Sequence, residues 1–174
     1  LFRALLEHVR LVGVMLDHEG RVTFCNDYLL EVTGWRRDEV IGRDWFAQFV
    51  PASCPEVRGI FRAAIQRGEL PAHYENPILT RTGEPRIIVW NNTLLRDAQG
   101  RILGASGLGE DITERRRAET ERARLLTVLE SSLNEIYIFA ADTLRFQYVN
   151  RGAQRNLGYS QEQLRTMTPL DLKP

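Results

Sequence analysis

Asn26 to Trp35 reads N-D-Y-L-L-E-V-T-G-W, and Asn150 to Tyr159 reads N-R-G-A-Q-R-N-L-G-Y. The two stretches stand at a constant offset of 124 residues, and Phe24 matches Tyr148 at the same offset. Upstream, Leu6-Glu7 matches Leu129-Glu130 at an offset of 123, so the second copy gains one residue in the loop between. A period of this length calls for two copies of one module, which constrains the fold more than any compositional average. Each stretch also has a local logic. An Asn side chain accepts from the free amides of a first helical turn, and a Gly eight residues later ends that helix. The second copy stops at Asp171-Leu-Lys-Pro174, before anything matching the later strands of the first.

Within the first copy, Leu1, Leu5, Leu6 and Val9 fall at helical spacing. Val12 to Asp17 and Arg21 to Cys25 flank His18-Glu19-Gly20, a hairpin with Gly in its turn. After the Asn26 helix, Asp38 to Ile41 and Asp44 to Phe49 each allow about a single turn. Pro55 to Gln66 is the longest helix of this half, with Val57, Ile60, Phe61, Ala64 and Ile65 on one stripe and Gly68 after it. Three strands close the copy: Ala72 to Thr80, Arg86 to Arg96 and Arg101 to Glu110, joined by Thr82-Gly83 and Asp97-Ala98-Gln99-Gly100. The order predicts an α+β fold, a five-stranded antiparallel sheet with short helices on one face. In the fourth strand both parities are apolar. Its second face therefore needs cover, from the N-terminal helix or a partner subunit.

Arg101 to Glu119 joins the copies. A strand passes through Glu110-Asp111-Ile112-Thr113 into a charged helix with no further Gly or Pro, so a shift of the strand reaches the helix with little slack. Asp111 is the expected N-cap, with Thr113 as the alternative. Ala118, Arg122, Leu125, Leu129 and Ser132, spaced alternately four and three, form a seam suited to a short two-stranded coiled coil. The competing reading is a solvated helix packed on its own domain.

Charge and composition narrow the function. The chain of 174 residues is 43% hydrophobic, and its 23 basic and 23 acidic residues balance. No electrostatic bias favours nucleic acid or an anionic membrane. No apolar run approaches a membrane span, and Cys25 and Cys54 are too few for a disulfide framework or a metal cluster. The expectation is a soluble cytoplasmic module that makes no membrane contact. It begins without Met and stops in mid-pattern, which reads as a fragment of something longer. Nucleophile elbows, Walker loops and zinc-protease motifs are missing, and His8, His18 and His73 are scattered.

The Asn-capped helix ending in Thr33-Gly34-Trp35, the turn at Asp38-Glu39-Val40-Ile41-Gly42, the Arg81-Thr-Gly83-Glu hairpin and the Gly109-Glu-Asp-Ile-Thr-Glu-Arg115 ending together resemble a PAS sensory domain. The resemblance divides the chain into a PAS sensory domain at 1–112, a signalling helix at 113–133 and the N-terminal part of a second PAS domain at 134–174. It implies a non-catalytic sensor and dimerisation module of a bacterial signalling protein. The implied partners are a second copy of the chain and an output domain farther along it, commonly a histidine kinase or a diguanylate cyclase. Glu110, Asp111 and Thr113 become the candidates for signal transfer.

Cofactors are tested against the same family. Its flavin photoreceptors carry a reactive Cys where Gly42-Arg-Asp-Trp45-Phe has Trp45, which excludes covalent flavin photochemistry. Its haem proteins use a His on the long helix, and Pro55 to Gln66 has none. Non-covalent flavin, another small molecule or a filled core remain. Alignment with the flavin-binding relatives turns Tyr74, Asn76, Ile88, Trp90, Asn92 and Leu94 inward, with Gly107 and Gly109 beside them, and Gly109 takes the place of a flavin-reading Gln. Asn76 and Asn92 are then candidate polar contacts, with Trp90, Trp45 and Phe61 packing beside a ligand. A slip of one residue turns Asn91 inward instead. The alternative functions are a small flavin-dependent redox protein and a purely structural interaction module.

Overall fold

Five strands, β1 (Val12–Asp17), β2 (Val22–Cys25), β3 (His73–Leu79), β4 (Pro85–Arg96) and β5 (Ile102–Asp111), pair antiparallel in the order β2-β1-β5-β4-β3. The structure, a computed structural model, describes residues 10–172, so the expected N-terminal helix lies outside the described residues. Between β2 and β3 run α1 (Asp27–Thr33), α2 (Arg37–Val40), α3 (Trp45–Phe49) and α4 (Glu56–Arg67). The α+β plan with a five-stranded antiparallel sheet is the one the sequence predicts.

Side chains fix where the short helices begin. Asn26 is fully buried. Its Oδ1 accepts from the amides of Gly13 at 2.9 Å and Leu29 at 3.1 Å, and its Nδ2 donates to the Leu11 carbonyl at 2.8 Å. The residue therefore caps α1 and at the same time pins it to β1. At the other end Gly34 takes φ 73°, a left-handed conformation that costs an L side chain, and its N–H closes on the Leu30 carbonyl. Asp44 caps α3 through the Ala47 amide at 2.9 Å and takes two bonds from the Arg58 guanidinium, at 2.8 and 2.7 Å, which ties α3 to α4.

Alternation along the strands decides which face the helices cover. Ile78, Ile88, Trp90 and Ala105 are buried with Leu29, Trp45, Phe49 and Phe61 in one core, while Asn91 and Thr93 are exposed. Trp90 pairs with Tyr74 on β3 and with Gly109 on β5, and Asn92 pairs with Gly107. Asn92, not Asn91, therefore shares the inner face.

The chain falls into two compact units, one through Arg115 and the other from Arg116. Helix α5 (Thr113–Ser131) begins in the first and continues into the second, which adds β6 (Tyr137–Phe139), β7 (Phe146–Val149), α6 (Arg151–Leu157), α7 (Gln161–Arg165) and a 3-10 turn at Pro169–Asp171. Within the second unit Asn150 repeats the bonds of Asn26. Its Oδ1 accepts from Ile136 at 3.0 Å and Ala153 at 3.1 Å, and its Nδ2 donates to the Asn134 carbonyl at 2.9 Å and the Leu129 carbonyl at 3.1 Å. In the first hairpin Val14 pairs with Cys25, and in the second Tyr137 pairs with Val149. The later hairpin is one residue longer.

Most boundaries move by a residue from expectation, and two of the shifts bear on the joint and the helix after it. β5 runs on through Asp111 because Ile88 on β4 still pairs with it. α5 ends at Ser131, so Ser132, the last position of the expected seam, lies beyond the helix. Leu125, Leu126 and Val128 are exposed along it, and Leu129 is half-buried.

Candidate functional site

The inner sheet face and helices α3 and α4 enclose a cavity of about 80 Å³, open to solvent. Its lining brings together all six residues picked out in the sequence: Trp45 on α3, Phe61 on α4, Tyr74 and Asn76 on β3, Trp90 and Asn92 on β4. Val57, Ile60, Leu70, Pro71, Ala105 and Ser106 complete much of the wall. Val57 and Ile60 were legible as one stripe with Phe61. Leu70 and Pro71 sit in a connection, where periodicity carries no signal.

Trp90 gives the cavity its shape. A Cβ on Gly109 would stand 2.9 Å from the indole and 2.2 Å from the Ile88 side chain, and one on Gly107 would stand 3.1 Å from the same indole. The two glycines thus leave bare backbone on which the ring lies. Trp45 meets it edge-on at 5.8 Å and stacks on Phe49 at 4.4 Å, so the indole is held on both sides. Asn76 Nδ2 donates to the Pro77 carbonyl at 2.9 Å and Asn92 Nδ2 to the Pro71 carbonyl at 3.3 Å. Burial, with smaller contributions from Glu56 and Cys54, pushes the Tyr74 hydroxyl above its usual range and keeps it protonated.

The polar contact expected for an isoalloxazine is missing from this arrangement. The position of the flavin-reading Gln is Gly109, and the Trp90 indole covers it. His73 is exposed and does not line the cavity.

The strand-to-helix joint is the second locus. Asp111 Oδ1 accepts from the Thr113 amide at 2.9 Å and from the Thr113 hydroxyl, and Thr113 Oγ1 in turn accepts from the Ile87 amide at 2.8 Å. Ile112 N–H donates to the Ile87 carbonyl at 2.9 Å. Asp111 thus remains a strand residue while satisfying one open amide of α5, and Thr113 is the first helical residue rather than its cap. Glu110 is exposed, 3.6 Å from Arg115. Sequence reasoning missed Arg86, whose guanidinium lies 3.6 Å from Asp111 and 3.5 Å from Glu114. Its one sequence signal was position, two residues before the strand partner of Asp111.

Comparison with known proteins agrees with this architecture. The family model described as PAS fold matches residues 6–117. The chain is 28% identical over 127 residues to the biofilm dispersion protein BdlA of Pseudomonas aeruginosa, covering 71% of this chain but only 30% of that protein. Among solved structures, a PAS domain from Colwellia psychrerythraea aligns with TM-score 0.55 at 18% identity, covering 64% of this chain and 94% of that one. The PAS domain of the Cronobacter turicensis quorum-sensing receptor RpfR, in complex with C12:0, aligns with TM-score 0.50 at 27% identity, covering 61% of this chain and 97% of that one. No helix among the described residues is long and apolar enough to cross a membrane. With the matched model spanning the whole sheet and its helices, this chain belongs to the PAS fold family.

Proposed function

We propose that the first unit is a sensor that takes a small apolar molecule into the cavity under α4 and passes the change through α5 to an output domain of a longer signalling protein. One observation carries this reading. β5 contributes Ala105, Ser106 and Gly107 to the cavity wall, and the same strand runs to Asp111, with only Ile112 between it and α5. A ligand that moves the strand therefore acts on a helix whose first turn is bonded to β5 and β4. The acyl ligand named for the RpfR domain supports an apolar ligand here.

On the same reading, 113–133 acts as the signalling helix and 134–174 as the first part of a second PAS domain, supported by the matching bonds of Asn26 and Asn150. The exposed Leu125, Leu126 and Val128 on α5 support a homodimer in which two such helices pack together.

1-Hexanol, a neutral short-chain probe, tests the sensor. Hydrogen exchange of the amides from Thr113 to Arg116 should change when hexanol saturates the cavity, while exchange in α6 and α7 serves as a reference. An unchanged first turn of α5 at saturation would refute coupling between cavity and helix.

A further inference from the structure

The cavity wall has an unusual electrostatic property: among the described residues, no Asp, Glu, Lys, Arg or His lines it. Arg58 on the helix that roofs it is held by both carboxylate oxygens of Asp44 at 2.7 and 2.8 Å, and Arg62 and Arg67 on the same helix do not line the cavity either. The amides of Asn76 and Asn92 each spend one N–H on a nearby carbonyl, and every donor left in the wall is neutral. An anionic head group drawn into this space would lose its water and find no countercharge in the wall. A neutral molecule meets no such obstacle.

Length is limited by a different feature. The indole of Trp90 lies on the bare backbone of Gly107 and Gly109, with Trp45 against its other side. A longer or polycyclic ligand must either displace that ring, which the close packing resists, or leave its extra length in solvent at the open mouth.

We infer that the cavity selects an uncharged, short apolar ligand, with Trp90 as the residue that sets its length. The inference rests on the reading of this cavity as the ligand site, and it deepens that reading. It also separates this chain from a receptor that draws a carboxylate inside.

The experiment uses the full chain and three probes, 1-hexanol, hexanoate and 1-dodecanol, followed by the indole N–H resonances of Trp45 and Trp90. Hexanol should shift them saturably. Hexanoate near neutral pH should bind roughly a hundredfold more weakly. Dodecanol should gain nothing over hexanol in the native chain, and should bind at least about tenfold more tightly to Trp90→Phe than to the native chain, since each added buried methylene contributes to affinity. Trp90→Leu is the second variant should Trp90→Phe not fold, with Trp45 as the reporter in both. Hexanoate binding within a few-fold of hexanol overturns the charge selection. Dodecanol binding equally to native and variant chains overturns the role of Trp90. In both cases the cavity stands as a ligand site. If none of the three probes binds the native chain or either variant, the cavity itself is not a ligand site, and the inference falls with it.

Discussion

Asp44 shows how much one exposed-looking carboxylate decides. Burial opposes its ionisation, yet the Ala47 amide and the Arg58 guanidinium outweigh that and hold its carboxyl below the usual 3.8. A depressed carboxyl stabilises the fold above its unfolded value and loses that contribution as pH falls through the folded one. Asp44→Ala should therefore cost about 2 kcal/mol near neutral pH, for the lost cap and a partly screened ion pair, and the gap to the native chain should narrow near pH 3. All three tryptophans, Trp35, Trp45 and Trp90, sit in the first unit, so urea denaturation followed by their fluorescence reports on that unit alone. An equal loss at both pH values would assign the effect to the cap without the charge. Legibility at this scale tracked distance. Asn26 and Gly34 were readable because a helix end obeys rules within a few residues of itself. The Asp44–Arg58 pair was not, because 14 residues and a loop separate its members. Trp90 was read as an inward aromatic, but its seat on Gly107 and Gly109 needed the register of two strands.

The element that links the sites is β5 with its continuation into α5. The sequence showed a strand and a helix with nothing flexible between them, and the structure leaves only Ile112 there. What the sequence did not show is that β4 grips the joint from the side, through the backbone of Ile87 and the Arg86 guanidinium. Contacts across neighbouring strands appear only once the sheet has formed. Asp111→Ala should cost roughly 0.5–2 kcal/mol and speed exchange at the Thr113 amide, with little effect on hexanol affinity. Two glycines inserted after Ile112 should go further, keeping hexanol binding while abolishing its effect on α5. If the inserted chain transmits the effect undiminished, the stiffness of the joint is irrelevant to coupling.

At the scale of the whole molecule, association turns on the exposed face of α5. Ser132 falls beyond α5 and Leu129 is half-buried, so the seam legible in the sequence contracts to the exposed turn that carries Leu125, Leu126 and Val128. Leu125→Glu with Leu126→Glu should convert a dimer to a monomer in light scattering, leaving the circular dichroism of both units unchanged. A dimer that survives both charges would shift the interface to the sheet's outer face, where Leu103 is exposed. In the second unit, meanwhile, the end of α5 is bound tightly to β7 and the start of α6. Glu130 accepts from the Tyr148 hydroxyl at 2.8 Å and from the Arg151 amide at 3.0 Å, and Asn150 takes the Leu129 carbonyl. Burial and that carboxylate together push Tyr148 up to about 12. The last turn of the helix therefore belongs physically to the hairpin after it, although a parse of the chain into domains and linkers would cut between them. Recombination that shuffles such modules would preserve both partners with its crossover in the exposed middle of α5, for example from Glu119 to Arg124. A crossover at 132–135 would strand Asn150 and Glu130 on opposite sides of the seam.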